Sequence, residues 1–276
     1  MPYCTTKDIS LYYEIYGKGQ PLLLLSGLGG GTWSWFGQIP FFEKYYRTIT
    51  FDNRGAGRSE IPPGPYHMKD FARDAFSLLE HLRVEKAHIL GLSMGGMIAQ
   101  ELALMAPQRI RTLFLGCTHC GGALRVSPSP EVLKTLMNNK GLTHEQVIRK
   151  NLPLFFSKEY LENHPESIDK YVEAQLKSAL QPKNAFEAQL GAIRDFDCCN
   201  RLSAVSAPTM IVTGDRDVLI PAENAHILAQ RIPHAKLIEI PGAAHALHVE
   251  CRDKINSLAH DFFRKHSNEN EPAENL

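Results

Sequence analysis

The chain has 276 residues, of which 43% are hydrophobic and 22% charged, a composition typical of a globular protein that buries one sizeable core. Lys and Arg together number 30, as do Asp and Glu, so the net charge is zero and nothing indicates a nucleic-acid binder, which usually has a basic excess. The apolar runs are far shorter than the roughly 20 residues that span a bilayer. The N-terminus lacks the basic-then-apolar pattern of a signal peptide, so we predict a cytoplasmic protein that does not act at a membrane.

Short apolar runs alternate along the chain with helical patterns. The predicted strands are 9–16, 22–26, 48–51, 87–90, 112–116, 209–213 and 236–240, and the predicted helices between and after them are 69–82, 95–106, 222–231 and 250–265. Several of these strands are apolar throughout, which is typical of parallel strands buried on both faces. The alternation therefore predicts an α/β fold, with a mostly parallel sheet flanked by helices.

The alternation stops between about residues 117 and 206, where the pattern is helical throughout. Thr143 and Gln146 have the spacing of a capping box, and 166–180 and 183–195 have helical spacing of apolar residues. We name residues 119–204 the helical insertion and predict that it forms a cap on a core made of residues 1–118 and 205–266. The polar, acidic residues 267–276 are predicted to be a disordered tail.

One short segment points to a nucleophile. Gly91-Leu-Ser93-Met-Gly95 follows a predicted strand and precedes a predicted helix. A serine on a strained strand-to-helix turn needs small neighbours, which the glycines supply. The N-terminus of the following helix directs N–H groups at negative charge that develops on a substrate. The segment predicts a catalytic serine, and a simple glycine-rich connection is the alternative.

A nucleophilic serine needs a base, and the base needs an acid that orients it. Asp215 and Asp217 follow the strand at 209–213, while His245 and His248 follow the strand at 236–240. Active sites of α/β proteins form at the edge of the sheet where the carboxyl ends of the parallel strands lie. The order serine, acid, histidine, each in a loop after a strand, is the chain order of the α/β-hydrolase triad.

With Asp52-Asn-Arg-Gly-Ala-Gly-Arg-Ser59, these motifs make residues 8–266 resemble a capped serine hydrolase of the α/β-hydrolase fold. Within that family the chain resembles esterases and enol-lactonases of the 3-oxoadipate type. The resemblance implies Ser93 as nucleophile, His245 as base and Asp217 as acid, because the family acid usually stands three residues after the glycine. Asp215 is then a turn residue, and His248 begins a helix or lies on the surface.

The resemblance also implies an oxyanion hole made by the backbone N–H groups of Leu28 and Met94. The family commonly has His-Gly where this chain has Ser26-Gly27, which leaves open how the loop is supported. No cofactor and no metal is expected. The pocket is expected between the sheet and the helical insertion, and its candidate lining residues, which could equally be packing residues, are Trp33, Trp35, Leu152, Leu154, Phe155 and Phe156.

Two other patterns compete weakly with this interpretation. Cys117 and Cys120 have the spacing of one ligand pair of a zinc site. Cys198 and Cys199 are adjacent in the chain and would make a poor second ligand pair, so the six cysteines are predicted to be free thiols. The loop 27–32 nearly matches a dinucleotide-binding fingerprint, with Asp52 as the acid, but its third glycine is missing. We expect instead a tight turn in which arginines tie loops together.

The sequence thus predicts a serine hydrolase that cleaves a small or medium carboxylic ester or lactone through an acyl-enzyme, with a small-molecule substrate and water as its partners. Ser93 argues against the dehalogenases and epoxide hydrolases of this family, which use aspartate. Ala246 follows the histidine where carbon–carbon bond hydrolases often carry Trp, which lowers that alternative. A thioesterase, an acyltransferase and a ligand receptor or signalling protein that does not turn over remain open alternatives, as does the oligomeric state.

Overall fold

The computed structural model describes residues 2–6 and 8–267, and its eight strands form one sheet in the order β1-β2-β4-β3-β5-β6-β7-β8. Neighbouring strands from β4 across to β8 pair in parallel. The β1–β2 and β2–β4 pairs are antiparallel. The strands are β1 Tyr3–Thr5, β2 Ser10–Tyr16, β3 Gln20–Leu25, β4 Tyr46–Phe51, β5 Ala87–Leu92, β6 Ile110–Gly116, β7 Thr209–Gly214 and β8 Lys236–Ile240. The predicted mostly parallel sheet is confirmed, and only the short β1 was missed.

The helices are α1 Ile39–Phe42, α2 Met68–His81, α3 Met94–Met105, α4 Pro130–Met137, α5 His144–Phe155, α6 Lys158–Asn163, α7 Pro165–Leu176, α8 Lys183–Arg194, α9 Glu223–Arg231, α10 Leu247–Glu250 and α11 Arg252–Lys265. The helix predicted at 250–265 was too long, since the backbone of Cys251 leaves the helical region (φ −117°, ψ 35°) and separates α10 from α11. The helix predicted at 166–180 was also too long. Leu180 is 64% exposed, so continuing towards Pro182 would bury no apolar surface there.

The sheet is packed on both faces, and β3 shows why its sequence is apolar throughout. Successive side chains of a strand point to opposite faces. Leu23 and Leu25 pack in one core cluster, which also holds Phe71 and Met97 of α2 and α3, whereas Leu22 and Leu24 pack in the other. All four leucines are fully buried. Among the described residues, no helix combines the length and apolar character needed to cross a bilayer.

The helical insertion contributes α4 to α8 between β6 and β7. Its two ends pair with each other, because Cys198 N donates to Cys120 O at 2.9 Å and Gly121 forms an antiparallel bridge with Asp197. The insertion therefore leaves and rejoins the core at one place. The predicted tail from residue 268 onward lies outside the described residues.

Candidate active site

Ser93 sits on a strained turn between β5 and α3. Its φ is +56°, a value that side-chain-bearing residues rarely adopt, and its N–H donates to Gly116 O at 2.9 Å. The glycines on either side are sterically required. A Cβ on Gly91 would lie 2.3 Å from Gly95 O, and one on Gly95 would lie 1.9 Å from Leu25 O. The sequence therefore folds locally so that the serine side chain stands at the end of β5.

A buried acid–base pair lies at the same edge of the sheet, after β7 and β8. His245 Nδ1 donates to Asp217 Oδ2 at 2.8 Å, and their side chains are 8% and 0% exposed. Asp217 Oδ1 accepts from the backbone N–H groups of Leu219 and Ile220 at 2.9 and 2.8 Å. These donors compensate for removing the carboxylate from water. Because Nδ1 carries the proton that points at Asp217, Nε2 of a neutral His245 is left as an acceptor.

The rival acid and the rival histidine occupy different surroundings. Asp215 is exposed, and its Oδ1 accepts from Gly242 N at 2.7 Å, so it closes the turn after β8. His248 lies in α10, with its ring 5.9 Å from that of Trp35. Burial and then the charge of His245 lower the pKa of His248 to about 3, so this imidazole is neutral at ordinary pH. Among these four residues only Asp217 and His245 pair with each other.

Cys117, directly after β6, is a neighbour of this pair that the sequence did not reveal. The donor atoms of Cys117, Asp217 and His245 all lie within 4.8 Å of one another, the one such trio in the described part of the chain. Burial, then the charge of Asp217, raises the pKa of the thiol well above its usual value, so the S–H donates to the carboxylate. These three side chains are of types that bind metals, but here they satisfy one another by hydrogen bonds.

The two cysteines of the predicted half-site do not face each other. Cys120 lies beside Cys199, to which it is hydrogen-bonded, whereas Cys117 contacts Asp217. All six cysteines are free, as predicted.

The loop after β3 lies against Ser93. A Cβ on Gly27 would be 3.2 Å from the Cβ of Ser93, and the Leu28 N–H donates to no protein acceptor within residues 2–6 and 8–267. Met94 is the first residue of α3, and the first N–H groups of a helix have no intrahelical acceptor. The N–H groups of Leu28 and Met94 thus lie on two segments that adjoin Ser93, and neither is used in the hydrogen bonds of the described residues.

The structure shows how this loop is held although the chain has Ser26 where the family commonly has His. Asn53 Nδ2 donates to Ser26 O at 3.1 Å, and Asp52 Oδ1 accepts from Thr32 N at 2.8 Å. The other oxygen of Asp52 accepts from Arg58 N and Arg58 Nε at 2.9 and 3.1 Å. Asp52 is therefore engaged in tying loops together, which is not the arrangement that a ribose-binding acid needs.

The predicted pocket residues separate into groups. Trp33, Leu152, Phe155 and Phe156 belong to one apolar cluster between the helical insertion and the loop after β8, and the ring of Phe155 lies 5.7 Å from that of His245. Leu154 is 8% exposed and lies outside that cluster. Trp35 is not with the others, because it packs in the core cluster on one face of the sheet.

Contacts from the helical insertion also hold the loop that carries His245. Ala246 N donates to Phe155 O at 2.7 Å. The carboxylate of Glu250 accepts from Ala244 N at 3.1 Å and from the hydroxyl of Ser157. Ser157 lies 93 residues before Glu250 in the sequence and carries no motif, so no local signal could have identified this contact.

Comparison with known proteins places the chain in a family. The family model described as "alpha/beta hydrolase fold" matches residues 20–197, and the chain belongs to this family. It is 32% identical to "Putative carbamate hydrolase RutD" of Azorhizobium caulinodans, over 94% of this chain and 96% of that protein. It is 27% identical to "3-oxoadipate enol-lactonase 2" of Acinetobacter baylyi, over 91% and 92% of the two chains. The crystal structure of the enol-lactonase from Burkholderia xenovorans LB400 matches with a TM-score of 0.84 and 25% identity, over 95% of this chain and all of that one.

Proposed function

We propose that this protein is a serine hydrolase that cleaves a small or medium carboxylic ester or lactone, with Ser93, His245 and Asp217 as its catalytic residues. The observation that carries the proposal is the buried His245–Asp217 pair at 2.8 Å, at the sheet edge where β5 also delivers the strained Ser93. A buried carboxylate bound to Nδ1 fixes the histidine tautomer that a serine nucleophile requires.

In the proposed reaction, His245 Nε2 accepts the proton of Ser93 as the serine oxygen attacks the carbonyl carbon. The N–H groups of Leu28 and Met94 bind the oxygen that becomes negative. His245 then gives its proton to the departing alcohol, and an acyl-enzyme remains. Water, activated by the same histidine, hydrolyses it and restores Ser93. Every proton is moved by the chain's own residues, so the steps use no cofactor.

The substrate class follows from what surrounds the pair. The helical insertion is proposed to act as a cap, and its cluster brings Phe155 within 5.7 Å of the His245 ring. Aromatic walls favour a substrate with a modest apolar group beside the carbonyl. The names of the relatives, a carbamate hydrolase and an enol-lactonase, both describe hydrolysis at a carbonyl carbon, which supports the same class for this chain.

The experiment measures hydrolysis of p-nitrophenyl esters from acetate to long acyl chains, with lactones and carbamates in parallel, for the wild type and Ser93→Ala. Turnover that Ser93→Ala abolishes, with an unchanged thermal midpoint, is expected, and the best chain length measures the acyl pocket. Labelling of the wild type by a fluorophosphonate, a substrate-independent probe of activated serines, is the companion measurement. Undiminished turnover in Ser93→Ala refutes the assignment. A wild type that neither turns over nor is labelled favours a ligand receptor instead.

A further inference from the structure

Gln189 joins the helical insertion to the loop that carries one of the proposed oxyanion donors. It lies on α8, and its side chain is fully buried. Its Oε1 accepts from Gly29 N at 2.9 Å, and its Nε2 donates to Arg54 O at 2.7 Å. One amide thus satisfies two backbone groups on two separate loops of the core, which is a specific arrangement for a residue that lies 160 positions after Gly29.

The bond to Gly29 acts on the conformation of Leu28. Gly30 N donates to Gly27 O at 3.0 Å, which closes a β-turn with Leu28 and Gly29 at its centre. Gly29 has φ +66°, the sign that a type II turn requires at its third residue. Types I and II differ by a flip of the central peptide, here the one between Leu28 and Gly29. An acceptor fixed opposite Gly29 N selects one orientation of that peptide.

We propose that Gln189 is a positioning residue for the oxyanion hole, which rests on the function proposed above. The Leu28 N–H belongs to the preceding peptide, between Gly27 and Leu28. By binding Gly29 N, the amide of Gln189 fixes the turn that directly follows that N–H and so holds the loop where the Leu28 N–H can meet the substrate oxygen. The donor to Arg54 O anchors the same amide from its other side, so the side chain cannot rotate freely. The helical insertion would then act on catalysis as well as on access to the site.

A purely structural role makes a different prediction, and the chain offers a matched control. Gln181 also belongs to the helical insertion, and its Nε2 donates to Gly55 O at 2.9 Å. It makes the same kind of hydrogen bond to the same core segment, and its Oε1 lies 3.0 Å from where a Cβ on Gly29 would be. Among the described residues it accepts no hydrogen bond from the loop after β3, so it controls for packing against Gly29 without the bond to Gly29 N. Gln189→Met and Gln181→Met each remove hydrogen bonding between insertion and core while keeping the length of the side chain.

The test is the second-order rate of fluorophosphonate labelling, because its transition state also needs the oxyanion donors but no identified substrate. Removing one such donor costs about 10²–10³-fold in rate, and misplacing it should cost about 10- to 100-fold. We expect that loss in Gln189→Met, with labelling by Gln181→Met within about twofold of the wild type. Wild-type labelling rates in Gln189→Met, or an equal loss in both variants, would overturn the inference alone. A wild type that is not labelled at all would overturn the proposed function and this inference with it.

Gln189→Glu keeps the inference testable if the methionine variant does not fold. A protonated glutamic acid can accept from Gly29 N and donate to Arg54 O, whereas the ionised form has no proton for Arg54 O. Burial raises the pKa of such a carboxyl. The ratio of Gln189→Glu to wild-type labelling rates should therefore be near one at low pH and fall as the pH rises. A ratio that is already well below one at low pH, or that rises with pH, at an unchanged thermal midpoint, would contradict the positioning role.

Discussion

Replacing Asp217 with Asn tests the choice of acid directly, because the hydrogen bonds dictate how the new amide must sit. The backbone N–H groups of Leu219 and Ile220 both point at Oδ1, so the oxygen of the Asn side chain must stay there. The NH₂ group then faces His245 Nδ1, where Asp217 Oδ2 accepts at 2.8 Å. Two donors cannot pair, so the histidine proton moves to Nε2 and the base towards Ser93 is lost.

The magnitude follows from the same distance. Two unit charges 2.8 Å apart attract by about 6 kcal/mol at an effective dielectric constant of about 20. This is the attraction that a charged His245 would lose in the transition state. At about 1.4 kcal/mol for each factor of ten, it corresponds to about 10⁴ in kcat. The wrong histidine tautomer in a serine triad lowers kcat by about the same factor, so the kcat of Asp217→Asn should be about 10⁴-fold below that of the wild type.

Asp215→Asn is the control, because an Asn oxygen can still accept from Gly242 N. We expect its kcat within about threefold of the wild type, since the position only closes a turn. The assay is steady-state hydrolysis of the best p-nitrophenyl ester, with thermal midpoints to confirm that both variants fold. An Asp217→Asn enzyme that keeps more than about a tenth of wild-type kcat would refute the reasoning, since loss of the base must cost far more. A larger loss in Asp215→Asn would identify the other carboxylate as the acid.

Three further predictions concern stability. Burial lowers the pKa of three histidines from 6.5 to about 3, so the folded protein binds fewer protons than the unfolded chain between these values. These histidines are His88, His119 and His248. As the pH falls below 6.5, the free energy of unfolding should therefore decrease by about 1.4 kcal/mol per pH unit for each histidine. A free energy of unfolding in urea that stays constant between pH 7 and 5 would contradict this. Asp74→Asn should lower the free energy of unfolding by about 3–5 kcal/mol, because it leaves the largely buried Arg54 without its bidentate carboxylate partner. Adding Arg54→Met should restore part of that loss, and strictly additive effects in urea unfolding would argue against coupling. Gly95→Ala should abolish folding as judged by circular dichroism, and a folded Gly95→Ala variant would contradict the steric argument. Gly191 lies in a helix with open space around it, so Gly191→Ala should raise the free energy of unfolding by about 0.5–1 kcal/mol.

Much of the core was readable from the sequence because local patterns encode it. Apolar runs such as Leu22–Leu25 must be buried on both faces, which predicts parallel strands and a layered α/β fold. Gly91 and Gly95 flank Ser93 for a local steric reason, so the turn could be predicted without knowing the rest of the fold. The strand ends moved by no more than two residues, since strand pairing extends beyond the apolar run, as where Gln20 pairs with β4.

The pocket was predicted less well, because helical periodicity shows which residues are apolar but not what they contact. Trp35 and Trp33 are two residues apart on a 3-10 helix. Trp35 nevertheless packs in the core cluster on one face of the sheet, while Trp33 packs against the apolar cluster of the helical insertion. Nothing local distinguishes them. The same reason explains why Cys117 was not expected beside His245 and Asp217.

The sequence by itself determined the sheet, the turn of Ser93 and the order of the serine, acid and histidine, since each depends on neighbours in the chain. The family resemblance favoured Asp217, but only the tertiary structure gives the physical reason. Asp217 is buried and bonded to His245, whereas Asp215 is exposed and accepts from a backbone N–H group. The tertiary structure also decided the contacts of Gln189, whose two partners lie 160 and 135 residues away. Hydrogen bonds between distant segments leave no periodic trace, so only the folded chain reveals them.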